Sequence, residues 1–149
     1  MTAFKHILFP TDFGESSQRA LDVAVELAQN FEASLTLLHT VEVPTYAYSG
    51  IAFPTIDLLT SVEDAARDQL QSELVILQQR LPRAKALLSV GVPWRDILRT
   101  ITEIHADLVI MGTHGRHGVA RAFLGSVAEK TVRMSPVPVL TVRGAIDAQ

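Results

Sequence analysis

Cysteine is absent from all 149 residues, which excludes disulfide staples and thiolate metal ligands and says nothing against a reducing cytoplasm. Long apolar runs are missing too: none approaches the ~20 residues needed to span a bilayer. The opening Met-Thr-Ala-Phe-Lys-His has neither the basic start nor the apolar block of a secretory leader. The expectation is a soluble cytoplasmic protein without membrane insertion. An excess of positive charge is also lacking. With 13 Lys and Arg against 16 Asp and Glu, the net charge is −3 and the pI about 5.9. No whole-chain basic field therefore recruits nucleic acid, and any anion site must be local. Both standard phosphate signatures are missing, the P-loop Gly-Lys-Ser/Thr and the dinucleotide Gly-x-Gly-x-x-Gly.

What is present is an alternation of strand and helix patterns. A chain of this size forms one domain and buries about 68–70% of its unfolded surface, enough for an ordinary core. Residues 6–10 read as a short buried strand stopped by Pro10. Helical spacing follows over 16–30, with Leu21, Ala24, Val25, Leu27 and Ala28 on one face. The near-continuous apolar run at 34–41 suits a strand covered on both faces. Residues 42–60 hold two prolines, two tyrosines and a glycine without clear period and read as a loop. Ser61 then supplies an N-cap for a helix to about Leu81, before Pro82. A third strand spans 86–90 and ends at Gly91. Pro93 sits in the first turn of a helix to about Ile104, with Ile97, Leu98, Ile101 and Ile104 inward. A fourth strand at 107–111, a fourth helix at 126–134 and a fifth strand at 139–142 complete the chain. Alternation of this kind predicts a single α/β domain, a five-stranded parallel sheet with helices on both faces.

In such a sheet ligands sit outside the carboxyl ends of strands, and two of those ends carry chemistry. After the fourth strand come Gly112, Gly115 and Gly118, with His114, Arg116, His117 and Arg121 among them, then Gly125-Ser126 at a helix start. Backbone N–H groups freed by glycine and the positive end of a helix dipole hold phosphate. The plainer alternative is a set of turns closed by a Ser126–Glu129 capping box. After the first strand, Pro10-Thr11-Asp12-Phe13 is either an Asx turn or an acceptor for an adenine amino group or ribose. A carboxylate repels polyphosphate, so Asp12 belongs at the base or sugar end, where Val41 offers backbone groups. His105, His114 and His117 lie on loops and read as solvated rather than metal-binding. His39 reads as a satisfied sheet histidine and Trp94 as a packing residue. Tyr46 and Tyr48 either cover a ligand or extend an interface.

Four stretches together resemble the universal stress protein family: Phe-Lys-His-Ile-Leu-Phe-Pro-Thr-Asp-Phe at the start, Leu-Leu-His after the first helix, Asp-Leu-Val-Ile-Met-Gly-Thr-His-Gly-Arg, and Gly-Ser-Val-Ala-Glu-Lys with the ending Ser-Pro-Val-Pro-Val-Leu-Thr-Val-Arg. The resemblance runs from about Phe4 to Arg143. Its most specific element is Gly-x2-Gly-x9-Gly-Ser/Thr, met by Gly112, Gly115, Gly125 and Ser126. It implies a Rossmann-like sheet of the adenine nucleotide alpha hydrolase type and bound ATP, with Mg²⁺ or Mn²⁺ accompanying the nucleotide. Asp12 and Val41 would lie near adenine, with Pro10, Thr11 and Met111 adjacent. Gly112, Gly115, Gly125, Ser126 and the Val127 N–H would hold ribose and phosphates, beside His114 and Arg116.

The resemblance also implies a homodimer that pairs its last strands. Val137, Val139, Leu140 and Val142 support it independently, because an apolar edge strand is a hazard unless paired. The function expected is a nucleotide-dependent stress-response module with an unidentified regulatory partner. No Walker lysine or water-orienting acid is present in the loop, so no catalytic residue is assigned and no protein metal site is expected. Two alternatives stand beside this: a slow ATP hydrolase aided by His114, His117 or Arg121, and a dimeric interaction protein that works without nucleotide.

Overall fold

The computed structural model describes residues 3–43, 56–114 and 124–144. Strand and helix alternate as β1 (His6–Pro10), α1 (Glu15–Phe31), β2 (Ser34–Glu42), α2 (Ile56–Gln78), β3 (Lys85–Gly91), α3 (Pro93–Glu103), β4 (Leu108–Gly112), α4 (Ser126–Met134) and β5 (Val139–Val142). The strands form one five-stranded sheet in the order β3-β2-β1-β4-β5, and every pairing is parallel. The chain winds outward from β1 to β3, returns to the middle, and winds out the other way through β4 and β5. The direction reverses between β1 and β4, which places the crevice of the fold at their carboxyl ends.

Period-two alternation divides the core between the two faces. Ile7, Phe9, Leu35, Leu37, Leu108 and Ile110 pack against Ala20, Ala24 and Val25 of α1 and Leu70 and Leu77 of α2. On the opposite face Leu8, Leu38, Val109 and Met111 meet Ile97 and Ile101 of α3 and Ala128 of α4. Because both faces are covered, the inner strands are apolar at nearly every position.

Two boundaries, both of α2, differ from the sequence expectation by more than one residue. α2 is already helical at Ile56, so Ser61 lies inside the helix and is not its cap; Asp57 is the acidic residue of the first turn. The helix ends at Gln78 rather than near Leu81. The expected loop over 42–60 thus contains the start of a helix, and its residues 44–55, with Tyr46 and Tyr48, lie outside the described residues.

Candidate functional site

The carboxyl ends of β1, β2 and β4 open into one cleft of about 670 Å³, within the range of small-molecule sites. Pro10, Thr11 and Asp12 line it from β1, Val41 from β2, Met111, Gly112 and His114 from β4, and Gly125, Ser126 and Val127 from α4. The expected site residues are therefore brought together, except Gly115 and Arg116, which lie outside the described residues, as do His117, Gly118 and Arg121.

At the β1 end the chain makes the Asx turn that the sequence left as one of two readings. Asp12 Oδ1 accepts the Gly14 N–H at 2.8 Å and the Ser17 hydroxyl at 2.9 Å. Thr11 Oγ1 accepts the Phe13 N–H at 3.0 Å, and Phe13 takes a left-handed φ of 64°. The turn holds the Asp12 carboxylate at the cleft wall. His39, expected only as a satisfied sheet residue, lines the cleft as well. Its Nδ1 lies 2.8 Å from the Thr11 carbonyl oxygen; that oxygen only accepts, so Nδ1 carries the proton. Its ring rests on Phe13 with centroids 4.3 Å apart.

Backbone register decides which peptide of β2 reaches the cleft. Thr11 N–H donates to the Leu38 carbonyl at 2.9 Å, so Leu38 and, two residues on, Thr40 direct their peptide groups toward β1. His39 and Val41 direct theirs toward β3. β1 ends at Pro10, and the Thr40 peptide faces the cleft beyond it. The β2 peptide that faces the cleft is thus that of Thr40, one residue before Val41.

At the other end lies the start of α4. Gly125 is its N-cap, with φ −62° and ψ 162° and no side-chain cap bond. The expected Ser126–Glu129 capping box does not form: Ser126 is already the first helical residue, and Glu129 pairs with Arg133 one turn on. The first intrahelical bond runs from Glu129 N–H to the Gly125 carbonyl at 2.9 Å. The N–H groups of Ser126, Val127 and Ala128 precede it and have no intrahelical partner. Two bonds fix this start in place: Gly125 N–H to the Thr113 carbonyl at 2.6 Å, and Thr113 N–H to the Val142 carbonyl at 3.0 Å. His114 Nδ1 lies 2.9 Å from Thr113 Oγ1.

The cleft is electrically polar along its length. Asp12 and Glu42 stand at the β1–β2 end, and the positive end of the α4 dipole stands at the other. Away from the cleft, burial lowers the pKa of His6 and raises that of Glu73. Among the described residues no group of three His, Cys, Asp or Glu side chains is placed to hold a metal ion, and no helix is long and apolar enough to cross a membrane. Trp94 is half-buried under the Lys130 ammonium, 4.9 Å from its ring centroid, and the Arg95 guanidinium, at 5.2 Å, as a packing residue would be. Sequence reasoning missed one wall altogether, Val62, Ala65, Ala66 and Gln69 of α2. Their helical spacing was available as a signal.

Comparison with known proteins follows from this geometry. The model of the universal stress protein family matches residues 3–143. The Thermus aquaticus protein called universal stress protein in QAH/OAS sulfhydrylase 3'region is 38% identical, over 94% of this chain and 99% of its own. Among solved structures, universal stress protein UspA from Lactobacillus plantarum superposes with a TM-score of 0.80 at 27% identity, covering 96% of this chain and all (100%) of that one. Hypothetical protein MJ0577 superposes at 0.81 with 24% identity, covering 98% and 100%. Two further structures are a universal stress protein with cAMP, at 0.69 and 23%, covering 97% and 100%, and one from Archaeoglobus fulgidus with dAMP, at 0.66 and 18%, covering 95% and 99%.

Proposed function

This chain belongs to the universal stress protein family, and we propose that its cleft holds an adenine nucleotide, ATP in full occupancy, as a regulatory ligand. The observation that carries this is the free start of α4. Three N–H groups without intrahelical partners and a helix dipole face a cleft whose opposite end is acidic. Phosphates are drawn to one end and excluded from the other, which fixes the direction of the nucleotide. Solved relatives of the fold carry cAMP and dAMP; at 23% and 18% identity they speak for the fold, and the ligand rests on this chain's own cleft.

In this reading Ser126 and Val127 receive phosphate oxygens, Gly112 and Gly125 let the ribose and phosphates approach, and Gly115 and Arg116 extend the same loop. The base lies against Pro10, Thr11 and Val41, beside Met111 and the Thr40 peptide, with Asp12 at the base or ribose. A Mg²⁺ or Mn²⁺ ion would enter on phosphate oxygens, which are the hard ligands it prefers, because the described residues supply no cage of their own.

Holding the nucleotide is favoured over cleaving it. Phosphoryl transfer needs a group that orients the nucleophile at the γ-phosphate. The cleft's two carboxylates, Asp12 and Glu42, stand at the base end, and Glu129 is engaged with Arg133. The same reading makes the protein a homodimer joined through β5.

Mass spectrometry of nucleotide carried through purification, followed by thermal melting with added ATP, tests the site. Ligand at 100 times its Kd adds about 2.7 kcal/mol of stability. Gly125→Val is the informative variant, since φ −62° and ψ 162° suit any residue. It should melt like the parent without ligand and lose the ATP-dependent rise. No rise in the parent protein, or an equal rise in Gly125→Val, would overturn the reading.

A further inference from the structure

Val62, Ala65, Ala66 and Gln69 stand at i, i+3, i+4 and i+7 of α2 and all line the cleft. Residues so spaced share one face of a helix. The buried side chains of α2, Leu70 and Leu77, come only after this stretch, and Val62 is 46% exposed. The stripe therefore faces the cleft and not the core. It stands at the β2 end, because α2 packs on β2 and β3 while α4 packs on α3 and β5. In the nucleotide reading of this cleft, on which the present inference rests, that is the end of the base.

Two polar side chains at this end, Asp12 and His39, are already engaged by the protein. Asp12 Oδ1 serves the Gly14 N–H and the Ser17 hydroxyl, and His39 Nδ1 serves the Thr11 carbonyl. Gln69 differs. Its amide has no hydrogen-bond partner among the described residues, and it closes an otherwise apolar stripe of valine and alanine suited to the face of a flat ring.

We infer that Gln69 is a specificity-determining residue of the cleft and that it reads the edge of an adenine ring. A carboxamide offers an acceptor and a donor in one plane. Adenine offers the complement, a donating exocyclic amino group beside an accepting ring nitrogen, and glutamine meets that pair with two parallel bonds. Val62 and Ala66 cover the ring face, and the Thr40 peptide supplies a second donor and acceptor from below.

The test compares ATP with purine riboside triphosphate, which lacks only the exocyclic amino group, by calorimetric titration of the full-length protein. The parent should bind ATP about tenfold tighter, the worth of one hydrogen bond to a neutral group. In Gln69→Leu that ratio should fall several-fold below the parent's, while the ratio of ATP to AMP affinity stays as in the parent. Gln69→Glu keeps an acceptor for the amino group and loses the donors. It should bind ATP more weakly and still prefer it to purine riboside triphosphate. A merely structural role would move both ligands together and leave the ratio untouched. A Gln69→Leu protein that binds ATP and keeps the parent's preference overturns this inference and leaves the nucleotide site standing. A parent protein that binds neither compound overturns both.

Discussion

A β-carbon built on Gly112 would lie 2.6 Å from Ser16 Oγ and 3.1 Å from the backbone carbonyl carbon and oxygen of the same residue. The start of α1 is pressed against the end of β4 at this point, and Ser16 Oγ is buried there without a partner among the described residues. Gly112 is thus required by packing before any ligand is considered. Gly112→Ala should cost about 1–3 kcal/mol, as overpacking in a filled interior does, with or without nucleotide, and urea denaturation reads it directly. A variant as stable as the parent would mean that the start of α1 yields freely. Gly125 stands in contrast: its dihedral angles are open to any side chain, so its substitution should register in ligand affinity. Spacing alone made Gly112 and Gly125 look like two parts of one anion motif. Their roles separate only when the atoms across from each are known, and sequence does not carry that. Asp12 is a similar case: the turn its spacing suggested forms, and the same turn leaves its carboxylate on the cleft wall.

At the scale of elements, β1, α4 and β5 begin and end where the sequence pattern puts them, because prolines and glycines punctuate those stretches. α2 is the exception. Its first half turns a stripe of small residues toward a cleft instead of a core, so the apolar period there is weak, and Ser61 offers a false cap. The second half of α2 holds Glu73, half-buried, with Oε2 unpartnered among the described residues and Oε1 accepting from Gln18 at 3.3 Å. Burial pushes its carboxyl above the ordinary value of 4.5, and the Gln18 bond offsets part of that. The folded state therefore binds this proton more tightly than the unfolded chain. Between 4.5 and the raised folded value stability falls as pH rises, and above it the cost of burying the charge is fully present. Glu73→Gln should accordingly stabilise the protein at pH 7 by less than about 1 kcal/mol, since the site is partly screened by solvent. That gain should shrink as pH approaches 4.5. His6 runs the other way: burial lowers it from 6.5, so stability is lost as pH drops below that value toward the lowered one. Parent and variant share His6, and the difference between their melting curves from pH 4.5 to 8 isolates Glu73. A difference that does not vary with pH would assign the effect to packing.

For the whole molecule the question is the outer edge of β5, which has no partner strand among the described residues. The strand pairs with β4 on one side, and Leu140 is 39% exposed. The opposite edge of the sheet, β3, begins with Lys85, a charge that discourages strand addition, whereas the residues of β5, Val-Leu-Thr-Val, carry none. Pairing of β5 with its copy across a twofold axis would satisfy that edge and make one continuous sheet. It would also place the seam close to the cleft, because Val142 accepts from Thr113, and Thr113 in turn accepts from Gly125 at the start of α4. Register supplies the test. Val109 N–H donates to the Pro138 carbonyl and Thr113 N–H to the Val142 carbonyl, so positions 138, 140 and 142 direct their peptides toward β4, and 139 and 141 direct theirs to the open edge. Thr141→Pro then deletes an outward N–H and leaves the β4 ladder intact, the one setting in which a strand tolerates proline. Leu140→Pro deletes an inward N–H and should destabilise the fold itself. In sedimentation at tens of micromolar, the parent should run as a dimer and Thr141→Pro as a folded monomer with an unchanged circular dichroism spectrum. A monomeric parent would end the proposal of a dimer, and a dimeric Thr141→Pro would move the seam away from β5.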